Sequence, residues 1–164
     1  MKYAFIDRDG TIIYEPTPEE TKPGDVPYQI DSLEKLKILP GVIAGLRRLI
    51  ADGYKLVMIS NQDGLGTKIF PRQNFDKPQD KLLKILKENQ IEFEKILICP
   101  HLPKDDCGCR KPKTGLLDDF LKEKDTDQKD SLVIGNGEAD KGLAKNLGLK
   151  FIEIKTNSIF NINI

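Results

Sequence analysis

Short apolar runs alternate with amphipathic stretches along almost the whole chain. Residues 3–6, 55–59, 93–98, 132–134 and 150–154 read as strands, each brief and bounded by polar or turn-forming residues. Between them, Val42, Leu46, Leu49 and Ile50 fall on one face of a helix over 41–52, which Gly53 closes. Leu82, Leu83 and Leu86 mark a second helix from about 77 to 89. Leu116, Leu117, Phe120 and Leu121 mark a third, and 138–147 a fourth. Residues 15–40 are interrupted by Pro16, Pro18, Pro23, Gly24, Pro27 and Pro40, so they read as irregular; 61–74 reads as a glycine-containing loop.

Strands alternating with helices predict an α/β fold, with a parallel central sheet covered by helices on both faces. In such sheets ligands bind at the carboxyl ends of the strands. The chemically informative residues fall there: Asp7 and Asp9 after the first strand, Ser60 after the second, a cysteine loop after the third, Asn136 after the fourth. The 164 residues suit one domain over 1–164, large enough for a core without disulfide staples. Residues 156–164, rich in Asn and Ile, read as its ragged end.

Charge removes several alternatives. The 26 basic and 26 acidic residues balance, which leaves no electrostatic footprint for nucleic acid or an anionic membrane. No apolar run approaches the roughly 18 residues of a membrane span, and the first apolar stretch is cut short by Asp7. These features point to a cytoplasmic enzyme or binding domain.

The three cysteines and the single histidine are crowded into one segment, 99–111: Cys99, His101, Cys107 and Cys109. An odd cysteine count argues against a disulfide framework. Three thiolates and one imidazole make the closed tetrahedral shell of a structural zinc site, with no position left open for water activation. The bland alternative is a surface loop of reduced cysteines, which would pack poorly among Pro, Gly and charged residues. Arg110 and Lys111 follow the last ligand directly, so zinc would brace the backbone carrying two phosphate-binding cations.

Asp7 and Asp9, at i and i+2 in a turn that Gly10 allows to bend sharply, can face one cleft. One carboxylate can then attack an electrophile while the other moves protons. An attacking carboxylate needs a cation to offset charge on a phosphoryl group, which makes phosphate monoesters apt substrates. A merely solvated acidic loop remains open on these residues alone.

The string Asp7-Arg8-Asp9-Gly10-Thr11 resembles the first motif of the haloacid dehalogenase-like (HAD) phosphohydrolases. The resemblance implies a Rossmann-like HAD fold with a minimal cap and a zinc-binding loop. It implies Asp7 as nucleophile, Asp9 as general acid and base, Ser60 as the phosphoryl-binding hydroxyl and Lys111 as the neutralising lysine. It also implies magnesium, held by Asp7, Asp9 (through its carbonyl), Asn136 and Asp140. Asn61 and Arg110 join these residues as phosphate-binding candidates.

The strings at 31–36, 40–43, 61–67 and 97–103 are similar to histidinol-phosphate phosphatases, the amino-terminal half of a bifunctional histidine-biosynthesis enzyme. The substrate implied is a small phosphate ester, L-histidinol phosphate, with no dehydratase partner half in this chain. Glu15 and Gln29 match the family's substrate-contacting glutamate and glutamine, although 19–24 look like extra residues between them. Heptose-bisphosphate phosphatases share the turn, the zinc loop and Arg110-Lys111-Pro112, and remain the alternative. One departure stands out: Asn136 occupies the place of an acidic magnesium ligand, which implies weaker metal binding or, at the extreme, a non-catalytic phosphometabolite-binding domain.

Overall fold

The computed structural model describes residues 1–124 and 128–162. Five parallel strands form one sheet: β1 (Lys2–Ile6), β2 (Tyr54–Asn61), β3 (Phe93–Cys99), β4 (Leu132–Gly135) and β5 (Lys150–Glu153), in the order β3-β2-β1-β4-β5. Buried on both faces, β1, β2 and β4 show the near-continuous apolar character expected of central parallel strands. The chain leaves β1 toward β2 on one side and reaches β4 on the other. The strand order therefore reverses at β1, and a crevice opens above the carboxyl ends of β1 and β4.

Helices α1 (Val42–Ala51) and α2 (Arg72–Glu88) cover one face. There Val42, Leu46, Leu49, Leu82 and Leu86 pack on Ala4, Ile6, Leu56, Met58 and Ile134. Helices α3 (Asp118–Glu123) and α4 (Glu138–Leu147) lie on the other, where Phe120, Leu143 and Ala144 meet Tyr3, Phe5, Val57 and Val133. The sequence pattern thus located α1 to α4, but α3 begins at Asp118, after Leu116 and Leu117, and α2 differs in extent. Helix α2 begins at Arg72, five residues before the pattern suggested, and carries Pro78 inside it. The extra turn is held by Phe75, which meets Phe70 edge to face at 5.9 Å and joins it and Leu65 in a small separate cluster.

The reading of 156–164 as a ragged end is overturned for its described part, while residues 163 and 164 lie outside the described residues. Phe160 and Ile162 are buried in the core beside α1, and the Phe160 amide donates to the Pro40 carbonyl at 2.8 Å. Asn157 clamps Glu15 by donating to its carbonyl and accepting from its amide, both at 2.9 Å. The apolar residues of this segment cover the end of the helix layer, which the high Asn content concealed.

Candidate active site

Side-chain alternation continues past the end of β1. Tyr3 and Phe5 face α3 and α4, and Ala4 and Ile6 face α1 and α2. Asp7 accordingly turns toward Lys111, while Arg8 enters the layer beneath α2. Gly10 has φ +77°, and a Cβ there would run into the Asn136 amide, so the turn needs glycine on both counts.

The Lys111 ammonium lies 2.6 Å from Asp7 Oδ1, 2.6 Å from Asp140 Oδ1 and 3.0 Å from the Ile59 carbonyl. Burial works against its charge, yet the two carboxylates hold its pKa above the usual lysine value. For Asp7, burial and then the Asp140 charge push the carboxyl up to about 7, against the pull of Lys111. Asp140 stands in the first turn of α4, where its second oxygen accepts from the Asn136 and Gly137 amides at 3.2 Å each. With both oxygens engaged in this way, Asp140 joins the site through Lys111 and the helix terminus.

Asn136 meets the turn directly. One end of its side-chain amide lies 3.0 Å from Asp7 Oδ2 and 3.2 Å from the Asp9 carbonyl; the other lies 2.9 Å from Thr156 Oγ1. With the NH2 group inward, it donates to both oxygens. With the oxygen inward, it stands 3.0 Å from Asp7 Oδ2 and 3.2 Å from the Asp9 carbonyl, close to the roughly 3.0 Å edge of an octahedron with metal–oxygen distances of about 2.1 Å. Asp7, the Asp9 carbonyl and Asn136 therefore form a donor set that fits magnesium. Charge agrees with this: Asp7, Asp9, Glu15 and Asp140 all line the cleft beside Lys111. Burial, followed by the charges of Asp9 and Asp140, pushes Glu15 up to about 7, although its hydrogen bond with Asn136 pulls the other way.

Asp9 is held at both oxygens, by Arg8 Nη1 at 2.6 Å and by Gln62 Nε2 at 2.8 Å. Gln62 Nε2 also lies 2.9 Å from Ser60 Oγ, which lines the cleft at the end of β2. Thr11 donates to Asp7 Oδ2 at 3.2 Å. Arg8 and Gln62 were not singled out from the sequence. Arg8 could have been found from its parity with Ala4 and Ile6, which sends it toward α2; nothing in the local pattern marks Gln62.

The ligand atoms of Cys99, His101, Cys107 and Cys109 all lie within 4.8 Å of one another. His101 Nδ1 is 3.6 Å from Cys99 Sγ and 3.1 Å from Cys109 Sγ, and Cys107 Sγ is 3.6 Å from Cys99 Sγ. Zinc–sulfur bonds of about 2.3 Å in a tetrahedron place neighbouring sulfurs about 3.8 Å apart. The four side chains thus make a cluster able to hold a metal ion, with zinc the fitting species for three sulfurs and one nitrogen.

Two phosphate-binding candidates are engaged elsewhere. Both terminal nitrogens of Arg110 reach Asp63, and Nη1 also donates to the His101 carbonyl. Asn61 spends its side-chain amide on the Lys111 backbone. Both residues still line the cleft, as do Glu15 and Gln29. Gln29 is oriented by contacts from its Nε2 to Asp31 Oδ2 at 3.2 Å and the Ile69 carbonyl at 3.4 Å. The cleft, about 520 Å³ in volume, is walled on its outer side by Val26, Pro27, Tyr28, Ile69 and Leu102. These loop residues supply the minimal covering expected in place of a cap domain.

Comparison with known proteins agrees with this geometry. The chain is 50% identical over 149 residues to the histidine biosynthesis bifunctional protein HisB of Actinobacillus pleuropneumoniae, a match covering 91% of this chain and 39% of that protein. It is 47% identical over 164 residues to the HisB protein of Campylobacter jejuni subsp. jejuni, covering 98% of this chain and 44% of that protein. The chain therefore spans well under half the length of these curated relatives. Among solved structures, the D,D-heptose 1,7-bisphosphate phosphatase of B. bronchiseptica, complexed with magnesium and phosphate, superposes with a TM-score of 0.80 at 27% identity, covering 95% of this chain and 82% of that one. A HAD-like protein from Mesorhizobium loti shares the fold at a TM-score of 0.74 and 24% identity, over 91% of this chain and 69% of the other. Residues 2–155 match the family model described as polynucleotide kinase 3 phosphatase, and this chain, a HAD-like phosphatase domain, belongs to that family.

Proposed function

We propose that this domain hydrolyses L-histidinol phosphate through an aspartyl-phosphate on Asp7, with magnesium at the Asp7–Asp9–Asn136 oxygens and structural zinc in the cysteine loop. The observation that carries the chemistry is the Lys111 ammonium shared by Asp7 and Asp140, each at 2.6 Å. It keeps the nucleophile fixed and supplies positive charge where phosphoryl oxygens arrive.

In the first step an Asp7 oxygen attacks phosphorus and the bond to the ester oxygen breaks. Asp9 gives its proton to the departing alkoxide. A water then attacks phosphorus; Asp9 takes up its proton, the bond to Asp7 breaks, and inorganic phosphate leaves. Ser60 and Thr11 offer hydroxyls beside the reacting centre. Bound magnesium supplies charge neutralisation for the nucleophile and the phosphoryl group.

The substrate reading is supported by the similarity to the HisB proteins and by Glu15, whose half-buried carboxylate lies in the cleft and suits a substrate carrying an amine close to its phosphate. The expected dehydratase half lies outside this chain. The test is phosphate release from histidinol phosphate, heptose bisphosphate and an aryl phosphate, each with and without magnesium. A preference for histidinol phosphate that needs magnesium is expected. Preference for the heptose ester would replace the substrate, and binding without release would replace the enzyme with a binding domain.

A further inference from the structure

Arg8 stands between the two motif aspartates, yet its side chain leaves the cleft altogether. It is fully buried, with 0% of its surface exposed. Nε donates to Gln79 Oε1 of α2 at 2.7 Å, and the guanidinium lies 4.8 Å over the Phe75 ring. Nη1 donates to Asp9 Oδ1 at 2.6 Å. Nη2 is buried without a hydrogen-bond partner among the described residues. A guanidinium is charged at every accessible pH and is seldom placed so deep unless it is paired. Among the described residues its charged partner is Asp9, so the position of that carboxylate is tied to the α2 scaffold.

We propose that Arg8 is a positioning residue for proton transfer, locking the Asp9 carboxylate in the orientation that serves the leaving group. The inference rests on the phosphatase reading above. Asp9 has one fixed donor on each oxygen: Arg8 from the buried side and Gln62 from the cleft side, the latter at 2.8 Å. A carboxylate gripped at both ends cannot swing, which keeps its proton aimed at one point. A guanidinium donates and has no acceptor, so the buried side offers Asp9 no place to deliver a proton and leaves the cleft as the outlet. Gln79, Phe75 and Arg8 therefore act on the chemistry from outside the cleft, none of them touching substrate.

A positioning role makes a demand that a merely structural ion pair does not. An alkyl alcohol leaves only if it is protonated, whereas 4-nitrophenolate leaves without help. Single-turnover release of histidinol and of 4-nitrophenol isolates the first step for each. Arg8→Met is expected to slow histidinol release about 100-fold or more while slowing 4-nitrophenol release less than about fivefold. Gln79→Leu keeps the arginine and its Phe75 contact but removes its hydrogen bond to α2, and should give the same asymmetry at smaller size; it decides the matter if Arg8→Met does not fold. Equal losses on both esters, or no loss on histidinol phosphate, overturn the inference while leaving the phosphatase intact. A wild-type chain that releases neither alcohol overturns the phosphatase reading, and this inference with it.

Discussion

Asn61 and Lys111 are joined by two opposed hydrogen bonds. The Asn61 amide nitrogen donates to the Lys111 carbonyl at 3.2 Å, and the Lys111 backbone amide donates to Asn61 Oδ1 at 3.0 Å. The end of β2 thereby grips the end of the cysteine loop at the residue whose ammonium sits against Asp7. Asn61→Ala removes both bonds and leaves two backbone groups to find other partners. We expect a stability loss of about 1–3 kcal/mol and a fall in kcat/KM of roughly 10- to 100-fold. Urea unfolding together with steady-state kinetics checks this; an unchanged kcat/KM would mean that Lys111 is held without Asn61.

Removing zinc should loosen the same residue from its other side. Cys109 lies two positions before Lys111, and Arg110 between them is tied to Asp63 and the His101 carbonyl. Chelation is expected to lower both thermal stability and kcat, with recovery on adding zinc back. Metal analysis before and after chelation, paired with a melting curve and an assay, gives the answer. Unaltered stability and activity after verified removal would contradict the bracing role.

The sheet, its helices and the strand-end location of the site were legible because parallel strands and amphipathic helices write their burial into local periodicity. Asp7 and Asp9 stood out by their place after β1 and the cysteine cluster by its crowding into one short segment, whereas Lys111 and the roles of the aspartates came only with the family resemblance. What the sequence concealed depends on pairs far apart in the chain. Asn61 and Arg110 line the cleft as expected, but their partners, the Lys111 backbone and Asp63, turn them toward holding the loop. Asn157 clamps Glu15 across 142 positions, a link that no window of sequence contains. The leucines that marked α2 all lie in its later turns, so its start at Arg72, supported by the Phe70–Phe75 contact, was not visible in them.

If magnesium binds as proposed, the neutral side chain at 136 should set an affinity that a titration reads. Its amide can donate to Asp7 and the Asp9 carbonyl when no cation is present, or turn its oxygen toward them when one is. An aspartate at this position has no donor for the first arrangement and brings a second full charge to the second. Asn136→Asp is therefore expected to tighten magnesium binding at least about 10-fold, from added charge on a hard cation. It should also melt lower than the parent in EDTA and gain more from magnesium. Calorimetric titration and melting curves test both expectations; overlapping magnesium isotherms for the two chains would reject them.

Glu15 should make stability depend on pH in a direction opposite to that of a paired carboxylate. Its pKa is raised to about 7 by burial, then by Asp9 and Asp140, from an ordinary value of 4.5. The folded chain therefore binds this proton more tightly than the unfolded chain does. Above about pH 7 the ionised group costs stability, the cost shrinks as pH falls toward 4.5, and below that value it is gone. Discounted for the partial exposure of the side chain, the cost is about 1 kcal/mol, or roughly 2–4 °C in a domain of this size. Without metal, Glu15→Gln should thus melt higher than the parent at about pH 8 and equally at about pH 4. In activity the sign reverses: at the higher pH the variant should raise KM for histidinol phosphate more than for an uncharged phosphomonoester, because only the carboxylate attracts the substrate's amine. Equal KM changes for the two esters would remove Glu15 from substrate recognition, and a parent no less stable than the variant at the higher pH would show that its charge is not strained in the fold.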